Sequence, residues 1–149
     1  MKRWPRMAPT TPRTPTKPPR NPGAVDEETI QAQVIAWANM QLKAHPELAR
    51  LFHVPNGGLR HAVEAAKMKG QGVKPGVPDL CLPVPRFGCP GLWIEMKTAN
   101  GRVSPNQKDW IAYLKGAGYR VVVCRSFDDA RAVLLDYLNP KVPYSPEII

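Results

Sequence analysis

The sequence predicts one α/β domain, a mixed β-sheet flanked by helices, behind a disordered, basic, proline-rich N-terminal arm. Three observations predict it. Segments with helical spacing of apolar residues alternate with short apolar runs of strand length. A strong helix start lies between the last two such runs, as a crossover between sheet strands requires. The first 24 residues, finally, cannot contribute to a core. At 149 residues, 43% hydrophobic and 22% charged, the chain suits a single core.

The arm, residues 1–24, holds seven of the eighteen prolines and six basic residues, Lys2, Arg3, Arg6, Arg13, Lys17 and Arg20, with no acid. It has few large apolar side chains, and its prolines remove backbone donors, so it reads as extended and disordered. The domain then spans 25–140, with a tail over 141–149. Asp26-Glu27-Glu28 places acids where a helix N-terminus favours them, and Ile30, Val34, Trp37 and Ala38 follow at helical spacing. The spacing predicts a helix from about Glu27 to Lys43, ended near Pro46.

Phe52-His53-Val54-Pro55 leads into Asn56-Gly57-Gly58, a turn signal before an Ala-rich helix over Leu59–Lys69 that stops at Gly70 and Gly72. Asp79-Leu80-Cys81-Leu82 and Leu92-Trp93-Ile94-Glu95-Met96-Lys97 read as neighbouring strands joined by a loop over Pro83–Gly91. Ser104-Pro105-Asn106-Gln107 combines an N-cap serine, proline at the first helical position and glutamine at the third. The helix it starts runs to about Lys115, closed by Gly116 and Gly118. Tyr119–Arg125 is a β-branched buried strand, and Ser126 caps a last helix with Ala130, Val133, Leu134, Tyr137 and Leu138 on one face.

The chain carries 21 basic and 12 acidic residues, but without the arm the balance falls to fifteen against twelve. The body is therefore only mildly basic. The arm suits phosphate contact through counterion release, or serves as a solubilising tail. Three cysteines, Cys81, Cys89 and Cys124, without C-x-x-C spacing argue against a disulfide framework and a structural zinc site. His45 and His61 have no partner spacing that suggests a metal. The N-terminus lacks an apolar signal region, and no run is long enough to span a bilayer, so the expectation is a soluble cytoplasmic protein with no membrane partner.

The chemistry is concentrated in Pro78-Asp79 and Glu95-Met96-Lys97. Alternation along a strand projects Glu95 and Lys97 from one face and Ile94 and Met96 from the other. If the preceding strand pairs with this one, Asp79 at its start brings a second carboxylate close to Glu95. Two such carboxylates repel when ionised, and a hard divalent cation, magnesium above all, relieves the repulsion. That arrangement suits phosphodiester hydrolysis, with Lys97 positioning or deprotonating water or stabilising charge. The competing reading is an exposed Glu95–Lys97 ion pair, with Asp79 merely following a turn proline.

The body resembles the VRR-NUC family of the PD-(D/E)XK nuclease superfamily. The resemblance rests on Glu27-Glu28-Thr29-Ile30-Gln31, His53-Val54-Pro55-Asn56-Gly57-Gly58 with Arg60, and Gly76-Val77-Pro78-Asp79-Leu80. It continues through Leu92-Trp93-Ile94-Glu95-Met96-Lys97, Gly101-Arg102-Val103-Ser104-Pro105-Asn106-Gln107 and Gly118-Tyr119-Arg120-Val121, covering about 26–138. It implies a restriction-endonuclease-like fold and a DNA endonuclease dependent on Mg2+ or Mn2+. Asp79, Glu95 and the Met96 backbone carbonyl would hold the metal, with Glu27 acting through water, and Lys97 would be the catalytic lysine.

Glu27 otherwise merely compensates the helix dipole. Gln107 belongs either beside the active site or in the capping box of its helix. Gln31, His53, Asn56, Arg60 and Arg102 are the candidate DNA contacts. Small stand-alone members of the family look like phage-type Holliday-junction resolvases, which implies branched DNA and a homodimer. The alternatives are an exonuclease or nicking enzyme on ordinary duplex and a catalytically idle DNA-binding module.

Overall fold

The computed structural model describes residues 25–55 and 62–139. The arm, the segment holding Asn56 and Arg60, the start of the second predicted helix and the C-terminal tail lie outside them. Helix α1 (Glu27–Met40) opens with the Asp26 carboxylate accepting from the Thr29 N–H at 2.8 Å and buries Ile30, Val34 and Ala38. It stops before the expected Lys43, and a 3-10 turn over Pro46–Arg50 follows, seating Leu48 in the core.

Strand β1 (Phe52–His53) comes next, then α2 (Ala62–Gly70), β2 (Leu80–Leu82), β3 (Leu92–Met96), α3 (Pro105–Gly116), β4 (Arg120–Cys124) and α4 (Phe127–Leu138). The sheet order is β1-β2-β3-β4, antiparallel up to β3 and parallel between β3 and β4. Parallel neighbours need a crossover, and α3 supplies it, as its position between the two apolar runs predicts.

The expected three strands become four, because β1 was not legible as a strand. Both its residues are exposed, so it shows neither alternation nor an apolar run. What holds it is backbone pairing with β2, extended by the Val54 N–H on the Asp79 carbonyl at 2.8 Å.

The pleat divides the sheet chemically. Leu80, Leu82, Leu92, Ile94 and Met96 share one face and join Val34, Leu134 and Tyr137 in the core, beneath α1 and α4. Trp37 of α1 meets Phe127 of α4 edge-on, ring centroids 6.4 Å apart. Glu95 points to the other face, towards α3. Cys81, Cys89 and Cys124 are buried as free thiols. No helix among the described residues is long and apolar enough to cross a membrane.

Candidate active site

Strand pairing creates the site. Leu80 pairs with Ile94 across the β2–β3 ladder, and one further step of this register sets Asp79 opposite Glu95. The Met96 N–H donates to Asp79 Oδ2 at 2.7 Å, which fixes the half-buried carboxylate against the end of β3. On its other side, the Asp79 carbonyl receives the Val54 N–H at 2.8 Å and His53 Nδ1 at 2.9 Å. A carbonyl only accepts, so that histidine nitrogen carries the hydrogen.

The loop entering Asp79 is seated by Gly76. Its backbone has φ +88°, and an added Cβ would lie 2.5 Å from the Asn106 carbonyl carbon in the first turn of α3. Only glycine satisfies both conditions there. The approach to Asp79 and the start of α3 are thereby packed backbone to backbone.

Glu95 is fully buried and Lys97 is 6% exposed, which removes the reading of a solvated surface pair. Lys97 extends the β3–β4 ladder, its N–H on the Cys124 carbonyl at 2.9 Å. Its Nζ lies 2.8 Å from Glu95 Oε1, 3.4 Å from Glu27 Oε2 and 3.3 Å from the Met96 carbonyl. Three acceptors thus surround the three ammonium hydrogens and hold the side chain in one orientation. The second Glu27 oxygen, Oε1, accepts from the Thr98 N–H at 3.3 Å.

Gln107 makes both the capping contacts and a contact with Glu95. Its Oε1 accepts from the Ser104 N–H at 2.8 Å while Ser104 Oγ accepts from the Gln107 N–H, completing the capping box. Its Nε2 donates to Glu95 Oε1 at 2.5 Å. The helix cap therefore aims the amide at the buried carboxylate. Glu95 Oε1 accepts from both Gln107 Nε2 and Lys97 Nζ, whereas Oε2 is buried with no partner among the described residues.

Burial first, and the neighbouring charges second, set the protonation of the group. Burial, with help from the negative charges of Asp79 and Glu27, pushes the Glu95 carboxyl up to about 7, although the Lys97 hydrogen bond opposes this. Burial also raises Asp79, against the pull of the Met96 N–H. For Lys97, burial alone would weaken the proton's hold, but Glu95, Glu27 and Asp79 together outweigh it and keep its pKa above the ordinary lysine value. Lys97 is therefore a fixed cation.

Among the described residues no three or more His, Cys, Asp or Glu side chains form a ready cation cage. The donors present are two carboxylates and the Met96 carbonyl, all hard oxygens, and one carboxylate oxygen is buried and unpartnered. A magnesium-type ion, which keeps several waters and takes one or two carboxylates, fits such a donor set.

A family model for the VRR-NUC domain matches residues 22–128. The chain belongs to the VRR-NUC family. VRR-NUC is a nuclease family, so the Asp79, Glu95 and Lys97 cluster lies in a domain of nuclease type. A solved structure named as a VRR_NUC domain protein is similar to this chain at 33% identity and a TM-score of 0.66, covering 77% of this chain and 89% of its own. No curated protein matches.

Within this VRR-NUC domain Glu27, Asp79, Glu95, Lys97 and Gln107 converge through contacts among themselves or with Met96. His53 is exposed beside Asp79, Gln31 is half-buried one turn along α1 from Glu27, and Arg102 is exposed on the loop before Ser104. Sequence reasoning missed Thr98 and Gly76. Thr98 acts through its backbone N–H, which has no side-chain signature. Gly76, two residues before Pro78-Asp79, carried a signal in its position, because a glycine preceding a site acid invites the question of what packs against it.

Proposed function

We propose that the protein is a divalent-metal-dependent deoxyribonuclease, an endonuclease that hydrolyses phosphodiester bonds with Mg2+ or Mn2+. The observation that carries this reading is Glu95, fully buried with one oxygen unpartnered among the described residues, opposite Asp79 on the ladder and paired to Lys97 at 2.8 Å. A buried carboxylate with an unsatisfied oxygen is costly, and a bound cation is the partner that would offset that cost. Asp79, Glu95 and the Met96 carbonyl would hold the cation, with Glu27 reaching it through water. When bound, it would lower the pKa of a water and neutralise charge on the phosphate.

The chain's own residues supply the rest. Gln107 and Lys97 occupy Glu95 Oε1, which leaves Oε2 as the oxygen that would hold the cation. Lys97, held protonated, stabilises negative charge developing on the phosphate and does not act as a base. Glu27, 3.4 Å from the ammonium, restrains it together with Glu95. Gln31, His53, Asn56, Arg60 and Arg102 would contact the sugar–phosphate backbone, which positions DNA without reading its sequence.

The preferred substrate in this reading is branched DNA, cut by a homodimer. One centre per subunit must be paired with another to make two symmetric incisions. Equal amounts of linear duplex, single strand, 5′ flap and four-way junction, each with magnesium, manganese or calcium, test it. The junction should be cut fastest, then the flap, and calcium should support binding with little cutting because its looser coordination holds water and phosphate less well. Equal rates on linear and branched DNA would remove the resolvase reading. No cutting with any metal would remove the nuclease reading.

A further inference from the structure

We propose that Arg125 is a positioning residue for this centre, holding the Thr98–Gly101 turn that seats the Glu27 carboxylate beside Lys97. The proposal rests on the nuclease reading above. Arg125 immediately follows β4, and its own backbone is anchored, its N–H donating to Asp129 Oδ2 in the first turn of α4 at 3.0 Å. From that platform one guanidinium nitrogen, Nη1, faces the carbonyls of Gly101 at 2.8 Å, Thr98 at 3.0 Å and Ala99 at 3.3 Å. Three acceptors exceed the two hydrogens of one Nη, so the longest contact is shared.

The turn so gripped begins directly after Lys97 and is closed by the Gly101 N–H on the Thr98 carbonyl at 3.0 Å. Glu27 lies against this turn. The Thr98 N–H donates to Glu27 Oε1 at 3.3 Å, and a Cβ at Gly101 would lie 3.2 Å from the same oxygen. Glu27 Oε2 is 3.4 Å from Lys97 Nζ.

The Glu27 side chain is 41% exposed, and both of its contacts are long, so it does not hold its place by packing alone. Its position depends on the turn, and the turn depends on Arg125, because irregular backbone needs partners for its carbonyls. Loss of the guanidinium would leave those carbonyls to water, loosen Thr98 and free Glu27. Lys97 would then be held by Glu95 and the Met96 carbonyl alone, off the geometry that transition-state stabilisation requires. An arginine near a nuclease centre would otherwise be read as a phosphate contact, and the two roles separate kinetically.

Arg125→Met, Arg125→Lys, Glu27→Gln and the Glu27→Gln/Arg125→Met double variant, assayed on the DNA that wild type cuts fastest, make the test, together with amide hydrogen exchange at Thr98 and Gly101. Arg125→Met should lower kcat roughly 10-fold with KM and the salt dependence of binding unchanged, and Arg125→Lys should recover part of the loss. On the Glu27→Gln background the same change should cost less than about 2-fold, because both act through one contact. Exchange at both amides should speed up in Arg125→Met. A raised KM with unchanged kcat and a flatter salt slope, multiplying losses in the double variant, or unaltered exchange would each overturn the proposal. If wild type cuts nothing, the nuclease reading fails and the catalytic role with it, while the exchange measurement still shows whether Arg125 holds the turn.

Discussion

Gln107 of α3 and Glu95 of β3 meet at 2.5 Å, amide nitrogen to carboxylate oxygen, while the other end of the same amide caps its own helix. The start of the crossover helix is thus bonded to the buried acid of the preceding strand. Gln107→Ala removes both contacts, so it should cost about 1 kcal/mol of stability through the lost cap as well as lowering cleavage. Gln107→Glu keeps the capping box but sets a second carboxylate against Glu95. It should unfold at least as late as the alanine variant yet cut more slowly, as denaturant unfolding and single-turnover cleavage would show.

Lys97 is buried, so its removal touches folding as well as chemistry. Lys97→Met should lower turnover by roughly 10²-fold, with Lys97→Arg rescuing poorly because the guanidinium does not fit a three-acceptor ammonium site. It should also make stability more sensitive to pH. A carboxyl whose folded pKa is raised favours the folded state while protonated, and that advantage is lost as pH rises from its unfolded value through its folded one. Without its cation Glu95 should titrate above about 7, its value beside Lys97. Below about 7 the carboxyl is protonated in both folded proteins, so the destabilisation of Lys97→Met relative to wild type should grow only as pH rises above about 7, read as denaturation midpoints on either side of that pH.

Metal binding should be linked to the same proton. Glu95 is half-protonated at about 7, so below that pH a cation must displace a proton to bind. Affinity for manganese should rise as pH approaches 7 and level off above it. Calorimetry in buffers of different ionisation enthalpy should show proton release below 7 that disappears well above it. An affinity independent of pH would place the ion away from Glu95.

The sequence made the architecture legible wherever local signals agreed. Ser104-Pro105-Asn106-Gln107 marked the start of α3, and the apolar runs at Leu80 and Leu92 marked strands that do pair. Alternation correctly set Glu95 and Lys97 on one face, but their burial was not visible, since it depends on α3 covering that face. Phe52–His53 was missed because a two-residue exposed edge strand exists only through its partner's hydrogen bonds. The two contacts of Gln107 look like alternatives in the sequence, whereas one amide has a donor and an acceptor end and makes both. Arg125 gave no signal, because its partners lie 24 to 27 residues back and are backbone carbonyls.

In the proposed function, Asp79 and Glu95 together would hold the cation on which cleavage depends. Manganese titration into metal-free wild type, Asp79→Asn and Glu95→Gln, followed by calorimetry at a pH above 7, tests it most directly. One class of sites is expected on wild type, with loss of binding in both variants, each still folded by circular dichroism, because each substitution removes a charged oxygen donor and leaves the backbone ladder intact. Wild-type manganese affinity in both variants would contradict it.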